Sequence, residues 1–375
     1  MVVTTDQGPE VVIVGAGFAG ASTAMALARR GVRRVTILES ESIPGRHGSG
    51  LNAAIARRVI DEPVTAQLAT EGMEGILALE AESGQTLMEP VGGILLGTDA
   101  HIQRHLSCVE GIPELMRDIR PISMEEAVSF VPHLKGVQAT AAIHVARSGV
   151  VDIHALLLLM LKTAREGGAT VKLSCALEAI HTVGGRVVGV DTTEGALSCD
   201  VVVNAAGFGM NRVAEMAGLP PLNVNPARRH LFVTEAMPEV DRHWPWVADG
   251  SNGYYFRPEG AGLLMSACDQ TPWPPEPPPT DPAMRDRLAE RFATHVPGLA
   301  HARPAHSWAG LRVLTDDDRF AIGPEPELGG FMWVAGLGGH GMTTSCRVGD
   351  LAAAAIENGR VSAPYDVYLE PTRLR

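Results

Sequence analysis

Val11-Val12-Ile13-Val14-Gly15-Ala16-Gly17-Phe18-Ala19-Gly20 decides the fold of this chain. Four β-branched residues in a row read as a strand buried on both faces. Glycines at 15, 17 and 20 follow at once, and the stretch to about Arg30 sets Ala24, Leu27 and Ala28 on one helical face, closed by Gly31. Val35-Thr36-Ile37-Leu38 reads as a second strand and ends on Glu39. Strand, GxGxxG, helix, strand and acid form the fingerprint of a dinucleotide site. Gly15 permits the tight turn, Gly17 lets a pyrophosphate approach the backbone, and Gly20 lets helix and strand pack closely. The helix start offers unpaired N–H groups and a positive dipole end to phosphates. Glu39 stands about 20 residues beyond the glycines, where an acid accepts hydrogen bonds from ribose hydroxyls. A carboxylate there repels a 2′-phosphate, which disfavours NADP, but the motif alone does not separate FAD from NAD.

Further segments extend this unit. Asp152 caps a helix to about Arg165, and Val171–Leu173, Ala176–Val183, Arg186–Asp191 and Ala196–Asn204 read as strands. The last of these runs into Ala205-Ala206-Gly207, small residues that let backbone approach a ligand or the first helix. A second glycine-rich junction follows the strand Phe331–Ala335 and precedes a helix to about Ile356, closed by Asn358-Gly359. The expected fold class is α/β: a Rossmann-like nucleotide domain of residues 1–85, 149–220 and 305–375. It is interleaved with an antiparallel-sheet α+β substrate domain of residues 86–148 and 221–304. The second domain holds the strands Val91–Gly97, Arg228–Thr234, Gly253–Arg257 and Gly262–Ser266, with an amphipathic stretch reaching Ala127. Thr271 to Pro282 carries seven prolines in twelve residues, which predicts an exposed extended loop.

Composition narrows the partners. The 375 residues carry 31 Lys+Arg against 43 Asp+Glu, a net charge of −12 that disfavours nucleic acid or an anionic membrane surface. The longest strongly apolar run, Ala155 to Leu161, falls far short of the ~20 residues of a membrane helix. The first ten residues lack the basic and apolar regions of a leader, and five scattered cysteines without CxxC spacing read as buried thiols in a reducing cytoplasm, with no metal site.

The nucleotide motif, Asn204-Ala205-Ala206-Gly207, Trp308-Ala309-Gly310-Leu311-Arg312 and Gly338-Gly339-His340-Gly341-Met342 occur in that order. Together they resemble the D-amino-acid oxidase and dehydrogenase superfamily of FAD enzymes, which includes glycine oxidase, sarcosine oxidase and dimethylglycine dehydrogenase. Arg46-His47-Gly48-Ser49-Gly50, Pro226-Ala227-Arg228-Arg229, Tyr254-Tyr255-Phe256-Arg257-Pro258 and the ending Leu369–Leu374 are similar to its D-arginine dehydrogenase-like branch.

The resemblance implies FAD as cofactor. Gly15, Gly17, Phe18, Ala19, Gly20, Glu39, Ser40, Ala206 and Gly207 would serve its nucleotide part. Arg46, His47, Gly48, Ser49, Gly50, Leu51 and Asn52 would lie beside the flavin ring, and Gly338, Gly339, His340, Gly341, Met342 and Thr343 near its pyrimidine end. A substrate sheet would cover the ring with an arginine and a tyrosine that grip a carboxylate, by position Arg312 and Tyr255. His340 and Arg228 complete the candidate catalytic set; Arg228 and Arg229 alternate faces, so one of them reaches the pocket. Covalent members carry a cysteine where this chain has Gly310, which excludes a cysteinyl link. His47-Gly48-Ser49-Gly50-Leu51 leaves a histidyl link open.

The function implied is oxidation of the C–N bond of an amino acid or N-substituted amino acid by hydride transfer to flavin N5, giving an imine that hydrolyses. That chemistry requires a held substrate and an anion clamp rather than paired carboxylates, and an arginine fork binds carboxylate in two places. A 2-hydroxy-acid dehydrogenase would use the same grip, and a non-catalytic FAD-binding assembly factor would share the nucleotide half. The expected partners are a small amino-acid or amine substrate and an electron acceptor, either oxygen or a quinone- or dye-like molecule. No nucleic acid or membrane span is expected, and the chain reads as a monomer or homodimer. Glu89 is a candidate for recognising a cationic side chain.

Overall fold

The strand Val11–Val14 runs through the middle of a six-stranded sheet, parallel to Val35–Leu38 on one side and Val201–Asn204 on the other. Its residues alternate between two cores. Val11 and Ile13 pack with the helices, while Val12 and Val14 pack with Phe331, Trp333 and Met210 on the opposite face. Burial on both sides is what the unbroken β-branched run requires. Thr170–Lys172 closes one edge; Phe331–Ala335 and the antiparallel Ala321–Pro324 complete the other. The structure, a computed structural model, describes residues 8–375, so the leader-free reading of residues 1–7 lies outside the described residues.

Helix Phe18–Arg29 packs between Ile153–Glu166 and Ser345–Asn358. Asp152 caps the second of these, accepting from His154 N at 3.1 Å and Ala155 N at 2.9 Å. Gly349 faces the Ser22 carbonyl so closely that a methyl group would collide with it, which lets the first and last helices touch through their backbones. The helix Pro63–Ser83, which the sequence reading did not single out, lies against Ser345–Asn358 through Gly72 and Gly75.

Two expectations need correction. Ala196–Asn204 is not one strand: Gly195–Ser198 pairs within a small antiparallel sheet with Arg186–Thr192 and Leu177–Val183, and Val201–Asn204 joins the nucleotide sheet. Cys199 and Asp200 mark the change of partner, their amides donating to Val188 O and Glu10 O in turn. The third nucleotide segment also does not begin at 305. Pro304–Leu314 pairs along its length with Asn225–Thr234, so it belongs to the substrate sheet, and the nucleotide part resumes with Ala321–Pro324.

That substrate sheet has nine strands, among them Gly93–Gly97, Ala141–Val145, Trp246–Asp249, Tyr254–Glu259 and Gly262–Ser266. It is antiparallel except where Trp246–Asp249 runs parallel to Gly93–Gly97. The amphipathic stretch to Ala127 is broken by Pro113 and Pro121 into short elements, Asp99–Val109, Pro113–Met116, Ile119–Ile122 and Met124–Phe130. Among the described residues, no helix is long and apolar enough to cross a membrane. Thr271–Pro272 adds a short edge strand, and most of the proline-rich stretch beyond it is exposed.

Candidate active site

The glycine turn forms a cradle whose backbone has no room for side chains. Gly15 sits at φ +107°, and a methyl group there would lie 2.5 Å from Ala205 O; one at Gly20 would strike Gly15 O. Gly17 caps the first helix without any side-chain bond, so the helix start faces the cleft. A methyl at Gly17 would come 2.8 Å from Ser49 Oγ, which accepts from Phe18 N at 3.0 Å. Glu39 closes the second strand, its carboxylate accepting from Ala16 N and Glu41 N at 2.9 Å each, with Ser40 Oγ at 3.4 Å. Gly207, at φ +56°, has open space where a side chain would project. Bare backbone, a helix start and a strand-end carboxylate suit a pyrophosphate and a ribose, so the residues fit the nucleotide half of FAD.

Residues 46–55 are pinned between this cradle and the substrate sheet. Asn52 Nδ2 donates to Ser49 O and Asn52 Oδ1 accepts from Ala54 N, whose residue is held at φ +59°. Trp308 Nε1 donates to Leu51 O at 3.2 Å, and Arg257 Nε to Ala53 O at 2.6 Å. Gly310 faces Leu51, where an added side chain would be crowded at 3.2 Å from Leu51 Cβ, and Gly48 faces Leu311 O. Arg46, His47, Gly50 and Leu51 line a groove of about 640 Å³ with Phe208 and Leu311. His47 Nε2 meets Glu41 Oε1 at 3.0 Å and its ring stands edge-on to Phe208.

The second glycine-rich junction comes up against Arg312 and residue 55. The helix starts only at Ser345, later than the glycine run, and Leu337–Thr344 forms turns ahead of it. Gly338 takes φ +53°, a methyl at Gly339 would lie 3.1 Å from Arg312 Cζ, and Thr343 Oγ1 reaches Ile55 O at 3.5 Å. Met342 and Thr343 are buried, and Gly341 packs on Leu337.

Strand register now places the charged side chains. Arg312 pairs with Ala227 and Gly310 with Arg229, so Arg229 and Arg312 project as diagonal neighbours from one face of the sheet. Arg312 makes no hydrogen bond or ion pair among the described residues. It is enclosed by protein yet keeps some accessible surface, the condition of a group lining a cavity. Burial and the neighbouring Arg229 charge push its pKa down to about 10. Arg229 donates through Nε to Asp269 O and through Nη2 to Gln270 Oε1 at 3.1 Å; burial opposes its charge, but Tyr255, Cys268 and Asp269 outweigh that and hold its pKa above the usual arginine value.

Arg57 joins them from the loop after residue 55. Its Nε donates to Val59 O at 3.0 Å and its Nη2 meets His105 Nε2 at 3.3 Å, while burial lowers its pKa. Tyr255 lies beside Arg229 with its hydroxyl buried and without a hydrogen bond of acceptable geometry. Its neighbour Tyr254 faces the opposite way, against Phe292 in the substrate-domain core. His340 is pushed down to about 3, first by burial and then by the charges of Arg57 and Arg312, and is neutral at physiological pH.

Two sequence candidates fall outside. Arg228, facing the other way by strand alternation, is taken up by Asp281 Oδ2 at 2.9 Å and lies over the Trp273 ring at 4.5 Å, tying down the proline-rich loop. Glu89 is also remote, half-exposed and 3.7 Å from His243 Nδ1. Of the alternating pair Arg228 and Arg229, it is Arg229 that shares the face of Arg312. Arg57 and Cys268 were not singled out, since they lie outside regular elements, where no periodicity points to a face. At the surface, His133, Glu239 and His301 bring one ligand atom each within 4.8 Å of one another, apart from this cleft.

A dinucleotide cradle facing a sheet that carries an unpaired arginine suits a dinucleotide-dependent oxidoreductase. The chain belongs to the FAD dependent oxidoreductase family, whose sequence profile matches residues 10–355, so it is an enzyme and its cofactor is FAD. Mouse mitochondrial dimethylglycine dehydrogenase is 25% identical over 97% of this chain and 44% of its own length, so the chain spans less than half of that relative. Glycine oxidase of Geobacillus kaustophilus is 26% identical over 93% of both chains. Among solved structures, L-proline dehydrogenase from P. horikoshii superposes with a TM-score of 0.88 at 23% identity, covering 98% of each chain.

Proposed function

We propose that this enzyme oxidises the C–N bond of an amino acid or N-substituted amino acid to an imine, which water then hydrolyses. The observation that carries this reading is the enclosed Arg312 guanidinium, unpartnered among the described residues and near Tyr255, whose buried hydroxyl lies beside Arg229. An arginine fork and a phenol suit a carboxylate, which would relieve the cost of leaving a buried charge unpaired. Bound FAD supplies the hydride acceptor. The chain's part is to hold the substrate carboxylate, exclude water and set the protonation of the amine. Three nearby positive charges disfavour an ammonium, so the substrate nitrogen sheds its proton at a lower pH than in water and needs no dedicated base. Neutral His340 adds no charge and offers the ring nitrogens for hydrogen bonding. The relatives support the class, since a glycine oxidase and dimethylglycine and sarcosine dehydrogenases are among them.

Anaerobic mixing of the FAD-loaded protein with D- and L-amino acids, N-methyl glycines and 2-hydroxy acids tests it. Bleaching of the flavin band by amines that bear a carboxylate is the expected result. Bleaching by hydroxy acids alone would overturn the C–N assignment, and bleaching by none would overturn the catalytic one.

A further inference from the structure

Arg312 accounts for one carboxylate, and it is not the only arginine in the cavity. Arg57, Arg229 and Arg312 lie close enough to perturb one another's charge, and all three sense the same Tyr255 and Cys268. None of them forms an ion pair among the described residues. Asp269 and Asp61 offset part of the Arg229 and Arg57 charges from a distance, but their hydrogen bonds and closest contacts go elsewhere. Asp269 accepts from His230 N at 2.9 Å and from His230 Nδ1 at 2.7 Å, and Asp61 lies at the surface, 3.7 Å from Arg104. His340 and His105, which also face the group, are held neutral by burial and add no compensating charge.

Resting on the reading of the site as an amino-acid oxidising one, we propose that the substrate carries two carboxylates. Arg312 and Tyr255 take the carboxylate next to the reacting carbon, and Arg57 with Arg229 takes the second. The class is an amino dicarboxylate, with the second acid on the side chain or on the nitrogen substituent.

The hydrogen-bond inventory supports the division. Arg229 spends Nε and Nη2 on Asp269 O and Gln270 Oε1, and Arg57 spends Nε and Nη2 on Val59 O and His105 Nε2. Arg57 therefore keeps Nη1 unspent, while Arg229 also lies within reach of the Tyr255 hydroxyl. Those protein bonds also fix both guanidinium planes before a ligand arrives, which limits the entropy lost on binding. A monocarboxylate meets one of the three guanidinium groups, whereas a dicarboxylate can meet two groups that one acid cannot span.

The test uses ligands that cannot be oxidised, so it does not depend on turnover. Calorimetric titration of the FAD-loaded protein with malonate and succinate is compared with propionate and butyrate. The dicarboxylates are expected to bind about tenfold to a hundredfold more tightly, as a charge-assisted contact in an enclosed site would give. Arg57→Met and Arg229→Met should each shrink that ratio towards one, whereas Arg312→Met should weaken both ligand types. If Arg229→Met does not fold, Arg229→Lys keeps the charge, removes the fork and should still reduce the ratio. Equal affinity for mono- and dicarboxylates in the unaltered protein overturns the proposal, as does a ratio that survives both Met variants. Flavin bleaching by monocarboxylate amines without any dicarboxylate preference overturns only this inference. Tight dicarboxylate binding without bleaching by any amine supports the paired anion site and overturns the amine-oxidation reading instead.

Discussion

Replacing Arg312 by Met separates the two roles a buried arginine can have, because a structural arginine and a ligand clamp respond in opposite directions. Met keeps the apolar stem and removes the charge. Arg312 has no protein hydrogen bond to lose, and its pKa is pushed down to about 10 from 12.5 by burial and Arg229. An arginine whose folded pKa lies below its unfolded value destabilises the fold wherever both states are charged, and the penalty is relieved only as pH rises through about 10. At neutral pH the depression corresponds to about 3 kcal/mol at most, and water in the cavity reduces it, so the variant should gain about 1–3 kcal/mol. That is a rise of a few degrees in Tm. Substrate binding should suffer the reverse, since losing one half of an enclosed ion pair costs about 3–5 kcal/mol, at least a hundredfold in KM or Kd. Differential scanning fluorimetry and steady-state kinetics measure the two effects on one preparation. A lower Tm with an unchanged KM for every carboxylate substrate would refute the clamp and make Arg312 a structural residue.

Three further outcomes follow from particular contacts. Gly17→Ala should fold, because the added methyl meets only Ser49 Oγ at 2.8 Å, yet lose FAD; Ser49→Ala in the same chain should recover stability without FAD, as read from the flavin-to-protein absorbance ratio. His340 and His105 have pKa values lowered to about 3 and about 4 by burial, so the unfolded chain binds their protons first as pH falls from about 6.5, and stability is lost across that window. Each adds up to about 1.4 kcal/mol per pH unit to the loss, and His105→Gln should flatten the curve in urea titrations between pH 6.5 and 4. Arg228→Ala should lower stability by about 1–2 kcal/mol through the lost Asp281 and Trp273 contacts, while KM stays within twofold of the unaltered enzyme.

The nucleotide half was legible because its demands are local. A tight turn at Gly15, close approach at Gly20 and two-sided burial of Val11–Val14 each force a residue type at a fixed place. The substrate half depends on pairing between distant strands, which no single stretch reveals. Pro304–Leu314 carries apolar residues that would suit either sheet, and only its ladder with Asn225–Thr234 assigns it. That same register turns Arg229 inward and Arg228 outward, so a slip of one residue exchanges the two. The helix Pro63–Ser83 escaped notice although Pro63 and Gly84 bracket it, because Gly72 and Gly75 stand where its packing face would otherwise be strongly apolar. Arg57 enters from irregular backbone and had no pattern to follow.

The central claim is that an enclosed arginine presents an amine's C–N bond for oxidation by holding its carboxylate. The most direct measurement is anaerobic rapid mixing of the FAD-loaded enzyme with a reducing amino acid, its carboxamide and its 2-hydroxy analogue, read at the flavin absorbance band. The account predicts fast bleaching by the amino acid, at least a hundredfold weaker apparent binding of the carboxamide, and no bleaching by the hydroxy acid. Equal reduction by acid and carboxamide, or reduction by the hydroxy acid alone, would contradict it.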